Sequence, residues 1–78
     1  MRYRVEGTSQ RVEDLEAGNA SQAANLMVHL EYGDGHYAVP RKDRETGRLD
    51  TSIFWVYDTR HTLVDHYFVE EITDANRE

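Results

Sequence analysis

Apolar and polar positions alternate from Arg2 to Glu6, with Tyr3 and Val5 on one side and Arg2, Arg4 and Glu6 on the other. A period of two belongs to a strand with one buried face, and Gly7-Thr8-Ser9 supplies a turn to end it. The next stretch is ambiguous: Val12 and Leu15 stand three apart, as on a helical turn, yet Gly18-Asn19 soon closes the segment. Residues 12–17 are read as a short second strand or an irregular lead into the next element. From Ala20 the spacing is helical, through Ala23, Ala24, Met27, Leu30 and Glu31, with Leu26 and Val28 widening the stripe. Asn19 sits where an N-cap belongs, and the small side chains near the start allow close approach to a sheet. Gly33-Asp34-Gly35 stops this helix and reverses the chain, because glycine enters the left-handed backbone region without a Cβ penalty.

From His36 the period returns to two. Tyr37 and Val39 fall together in His36 to Pro40, while Ile53, Trp55 and Tyr57 oppose Phe54 and Val56 in Thr51 to Tyr57. In Thr62 to Ile72, Val64, His66 and Phe68 oppose Leu63, Asp65, Tyr67 and Val69. Three antiparallel strands are implied, the first pair joined across the charged segment Arg41 to Asp50, with its turn at Glu45-Thr46-Gly47. The second connection is Asp58-Thr59-Arg60-His61, and the polar stretch Thr73 to Glu78 is expected to fray. Together these elements predict an α+β fold in a single domain, 1–78. A twisted antiparallel sheet of four or five strands carries one helix across one face, in the order β-(β)-α-β-β-β.

This arrangement leaves apolar side chains over. Both faces of the last hairpin are bulky, and one helix covers one face. Either Phe54, Val56, Leu63, Tyr67 and Val69, or else Ile53, Trp55, Val64 and Phe68, must meet solvent or a partner. The alternative is that the sheet curls and the first residues of the chain cover the surplus. An uncovered apolar face in so small a protein points to self-association or to a docking surface.

Size sharpens the point. Seventy-eight residues make one thin core, so stability should be modest and a dimer through the sheet would add to it. The absence of cysteine excludes disulfides and thiolate metal sites. No apolar run approaches the ~18 residues a membrane span needs, and Met1 to Glu6 lacks the apolar stretch of a signal peptide, so a cytoplasmic protein without membrane association is expected. Fifteen carboxylates against nine cations give a formal charge of -6, which disfavours general attraction to phosphate backbones or anionic lipid. The acid is spread along the chain instead of forming a block, as in a solvated surface, and this weighs against nucleic-acid mimicry.

Candidate chemistry is sparse. Four histidines raise the question of a metal, and His61 with His66, near Asp58 and Asp65, is the densest group. An extended strand would hold these two imidazoles roughly 15 Å apart at ~3.3 Å per residue, too far to converge. Catalytic templates are missing: there is no Gly-x-Ser-x-Gly, no Gly-x-Gly-x-x-Gly, and Gly33-Asp34-Gly35 follows a helix where a phosphate loop should precede one. Glu70 and Glu71 point to opposite faces of a strand and cannot act jointly as acid and base. No enzyme, metal or cofactor is therefore expected. Positive charge is concentrated only at Arg41, Lys42, Arg44 and Arg48, beside Tyr37, and is interleaved with Asp43, Glu45 and Asp50. Such a finger could track a nucleic-acid backbone, but it suits a solvated hairpin or a protein-binding edge better, because arginine is enriched at protein interfaces.

The run Leu15-Glu16-Ala17-Gly18-Asn19-Ala20-Ser21-Gln22-Ala23-Ala24 takes a strand ending in Glu-Ala into a Ser-Gln-Ala helix, ahead of a meander ending Trp55-Val56-Tyr57. In this it resembles small phage-encoded α+β proteins, including certain anti-CRISPR inhibitors. The resemblance implies a non-enzymatic inhibitor that occupies a surface of a host defence complex, and it carries over no functional residue. The leading expectation is thus a protein-binding module, an inhibitor or adaptor from a phage or mobile element, with contacts first at Tyr37, Arg41, Arg44, Arg48, Trp55 and Tyr57. The alternative is a nucleic-acid binder using the Arg41 to Arg48 hairpin.

Overall fold

A computed structural model describes residues 1–73. Its elements are β1 (Arg2–Gly7), β2 (Val12–Glu16), α1 (Ala20–Tyr32), β3 (Tyr37–Lys42), β4 (Leu49–Tyr57) and β5 (Leu63–Ile72). The five strands form one open antiparallel sheet in the order β2-β1-β5-β4-β3, with α1 packed on one face, so the α+β expectation holds. The fraying expected at the C-terminus lies, past Thr73, outside the described residues.

Residues 12–16 form the strand and not the helical turn. Pairing with β1 sets Leu15 opposite Tyr3 and Glu13 opposite Val5, and Leu15 packs against the core. Val12 belongs to the other parity and is exposed, so its spacing from Leu15 had no bearing on burial. β1 lies between β2 and β5, with its main chain paired on both sides. The first residues are therefore inside the sheet and do not fold over it, which excludes the curled alternative. From β2 at one edge the chain crosses by way of α1 to β3 at the other.

The caps of α1 are those read from its sequence. Asn19 is extended at φ -159°, and its Oδ1 accepts the Gln22 N–H at 2.9 Å. Gly33 and Gly35 take φ of 80° and 88°. The buried strip is narrower than the periodicity suggested: Ala23, Ala24, Met27 and Val28 are buried, whereas Leu26 and Leu30 are exposed. A straight helix touches a sheet along one line, and Leu30, about 60° around the axis from Met27 at 3.6 residues per turn, falls outside it.

The core lies between α1 and the inward parity of the strands. Tyr3 and Val5 from β1, Phe54 and Val56 from β4, and Tyr67 and Val69 from β5 meet the helix there, with Ala38 of β3. Of the two candidate sets, then, Phe54, Val56, Tyr67 and Val69 are covered, and Ile53, Trp55, Val64 and Phe68 are left on the other face. Leu63 is a correction: a register shift between Val56 and Tyr57 places it opposite Tyr57, and it is exposed in spite of its inward parity.

Candidate binding surface

The face opposite α1 is assembled by cross-strand register. Val39 pairs with Trp55 and Trp55 with His66, while Ile53 pairs with Phe68 and Phe68 with Glu6. The His66 ring is met edge-on by Trp55 at 6.1 Å and by Phe68 at 5.3 Å, an arrangement aromatic quadrupoles favour. Nearer the β4–β5 turn, Tyr37 stacks on Tyr57 at 5.6 Å, and its hydroxyl lies 2.6 Å from Nδ1 of His61. Phe68 is 51% exposed and Val64 41%, with no described residue above them. The apolar strip thus runs uncovered across the middle of the open face.

The β3 edge of the sheet is shielded from strand addition, and the β2 edge is short. On β3, the Ala38 N–H donates to Asn25 Oδ1 at 3.0 Å and its C=O accepts from Asn25 Nδ2 at 3.3 Å. Those groups point away from β4, so the amide of a helix residue occupies the place a further strand would take. The next outward position is Pro40, which has no N–H to offer. On β2, the Ala17 N–H donates to Met1 C=O at 2.9 Å and the Gly7 N–H to Arg11 C=O at 3.1 Å. The outward main-chain groups are then those of Val12, Asp14 and Glu16, on a five-residue strand carrying Glu13, Asp14 and Glu16. A strand this short, with charged side chains, offers an incoming strand little to pair with.

The arginine-bearing hairpin leaves the sheet at a register shift between Pro40 and Arg41. Asp43 Oδ1 accepts the Glu45 N–H at 2.8 Å, and the Asp43 N–H donates to Arg48 C=O at 2.8 Å, which closes the arm. Arg41 donates to Asp50 at 2.7 Å. The Asp50 carboxyl lies below its ordinary range, first because Ser52 hydrogen-bonds it and then through Arg41. Between the arm and Trp55 is an open groove of about 640 Å³, lined by residues 40–45, Asp43 and Glu45 included.

The helix-covered face holds a polar cluster at the C-terminal end of α1. Asp65 is buried on β5 and accepts from the Tyr32 hydroxyl at 2.7 Å, the His66 N–H at 2.7 Å, and both the hydroxyl and the N–H of Thr8. Burial pushes its carboxyl up, but these four donors outweigh burial and hold it below the usual range. Alongside, Glu31 accepts from the Tyr67 hydroxyl at 2.7 Å and from Ser9 at 2.8 Å. The Tyr67 and Tyr32 hydroxyls are both pushed up, by burial first and then by the carboxylates they bond. These hydroxyls and carboxylates satisfy one another, so the cluster ties the β1–β2 turn to α1 and β5. Its position is legible in retrospect: Asp65 has the inward parity of Tyr67 and Val69.

Of the residues singled out from sequence, Tyr37 and Tyr57 meet at one end of the open face, and Trp55, Arg41 and Arg44 line one groove. Arg48 is at the closing turn and does not line that groove. Asn25 was not singled out, and Val39 and His66 were read as strand positions, His66 also as a metal candidate, but not as contact residues; their roles depend on register and on a helix packing beside an edge. No three of the described histidine or carboxylate residues converge on a metal position. No described helix is long and apolar enough to cross a membrane. No protein-family model, curated protein or solved structure matches the chain.

Proposed function

We propose that this chain is a non-enzymatic protein-binding module that acts by occupying a partner's surface through the open face of its sheet. The observation that carries the reading is the strip of Val39, Ile53, Trp55, Val64, His66 and Phe68 that α1 leaves uncovered, on a sheet whose β3 edge is shielded and whose β2 edge is short. With strand addition disfavoured at both edges, contact is made by side-chain packing on the face, where aromatic residues contribute most to affinity. Trp55, Tyr37 and Tyr57 would supply the apolar anchors, and Arg41, Arg44 and Arg48 a polar rim. The resemblance to phage-encoded inhibitors extends the proposal to a phage or mobile-element product that blocks a host defence complex.

The test is capture on the immobilised chain followed by mass spectrometry, with Trp55→Ser and Phe68→Ser as controls. A stoichiometric protein retained by the parent and lost with both variants supports the reading, and no stoichiometric protein at all sinks it. A second reading, contact with a nucleic acid, is favoured by Trp55 and Arg44 lining one groove, which could stack a base and meet a phosphate. Asp43 and Glu45 on the same groove oppose it. A gel shift at low salt that is abolished by neutralising Arg41, Arg44 and Arg48 would decide for the nucleic acid.

A further inference from the structure

The open face is bipolar across the strands. On its β1–β2 margin the register brings Glu6, Asp14 and Glu16 to the same parity as Arg2 and Arg4, while Glu70 stands beside Arg4 on the central strand β5. Both guanidiniums lie against Asp14, at 3.7 and 3.2 Å. Glu6 and Glu16 have no ion pair among the described residues, so this margin keeps an excess of one negative charge. On the opposite margin is the β3–β4 arm, where Arg41 is taken by Asp50, and Lys42, Arg44 and Arg48, without an ion pair among the described residues, outnumber Asp43 and Glu45 by one. Between the margins lies the apolar strip, on the central strand β5 and on β4.

From this pattern we infer that the open face closes against a second copy of the chain, as a face-to-face β-sandwich with a two-fold axis parallel to β5. Such an axis reverses the order of strands between the copies while keeping their direction. The cationic arm of each copy then lies over the anionic β1–β2 margin of the other, and Phe68 and Trp55 of both copies interdigitate at the centre. An isologous interface needs this kind of self-complementarity, with each margin meeting its opposite twice. Sheets packed this way stand ~10 Å apart, a gap that side chains from both faces fill.

Area sets the strength. Five strands ~4.8 Å apart, overlapping over six residues of ~3.3 Å each, give a footprint of about 500 Å² before side-chain relief. Specific interfaces begin at about 600 Å² per partner. The formal charge of -6 on each copy opposes approach, and so does Glu70, which on β5 faces its own counterpart near the axis. A footprint under that mark places the dimer among weak, transient associations. The inference shares its surface with the function proposed above, since a foreign partner would displace the second copy. The two still fail separately: a monomer that captures a partner removes only the dimer, and a dimer that captures nothing removes only the partner.

Sedimentation equilibrium from 5 μM to 1 mM tests it. The expected result is a concentration-dependent rise from 9.1 kDa to twice that mass, lost in Phe68→Asp with an unchanged circular dichroism spectrum. Lys42→Glu should weaken the dimer about five-fold, since symmetry repeats each lost contact, and adding Glu16→Lys should restore it. A single-chain mass at 1 mM overturns the inference, as does a dimer that Phe68→Asp leaves intact. If Lys42→Glu weakens the dimer and Glu16→Lys brings no recovery, the parallel two-fold arrangement is overturned.

Discussion

Asn25 on α1 holds both main-chain groups of Ala38 on β3, accepting from its N–H at 3.0 Å and donating to its C=O at 3.3 Å. The same side chain also donates to the Ser21 C=O at 2.9 Å, so its amide is fixed from the helix side as well. A helix residue thus completes a sheet edge and shields it.

Replacing Asn25 with leucine should remove both bonds and open the edge. A loss of about 1 to 3 kcal/mol is expected in urea unfolding, because Ala38 is left with unsatisfied, partly buried groups. Association through the freed edge should accompany it, read as light scattering that rises on incubation. An Asn25→Leu protein as stable and as clear in solution as the parent would refute the edge-shielding role.

Phe54 and Phe68 lie on adjacent strands but on opposite faces, fully buried and half-exposed respectively. Phe54→Ala should cost about 3 to 5 kcal/mol, enough to unfold much of so small a domain. Phe68→Ala should cost under about 1 kcal/mol. Equal losses in denaturant titrations at protein concentrations below 5 μM would mean that the faces are wrongly assigned.

Asp65 gives the pH dependence its sign. Its folded carboxyl ionises below the unfolded value of about 3.9, so its contribution is complete above that value and is lost as pH falls through the lower, folded one. The tyrosines act oppositely: hydroxyls held up in the fold stabilise it below about 10, and that stability is lost as pH rises beyond. Asp65→Asn should flatten the acid limb of a stability-against-pH curve, and Tyr67→Phe the alkaline limb. An unchanged acid limb in Asp65→Asn would show that other carboxylates set it.

Gly35 has φ of 88°, and a Cβ there would overlap Thr59 Cγ2. Gly35→Ala should destabilise by about 1 to 3 kcal/mol. Adding Thr59→Ser removes the overlapping methyl and should recover part of the loss, leaving the backbone term. Thermal melts of the two variants separate the contributions, and a double mutant no better than the single would assign the whole cost to φ.

Much of this molecule was determined locally. The alternation at Tyr3 and Val5, the helical run opened by Asn19 and closed by Gly33, and the alternation of β4 and β5 were all legible, because a side chain's face depends only on its own strand or helix period. The surplus of apolar groups could likewise be counted before any pairing was known. The face left open was a tertiary matter: parity says which residues travel together, but α1 chooses a side only when it packs. The place of β1 between β2 and β5, which ruled out its folding over the sheet, came from pairings 60 to 70 residues apart in sequence. The same long-range pairing brought Thr8 and Tyr32 to Asp65, and helix packing beside β3 brought Asn25 to Ala38. No local pattern encodes such meetings, because each partner satisfies its own element's periodicity whether or not the other arrives.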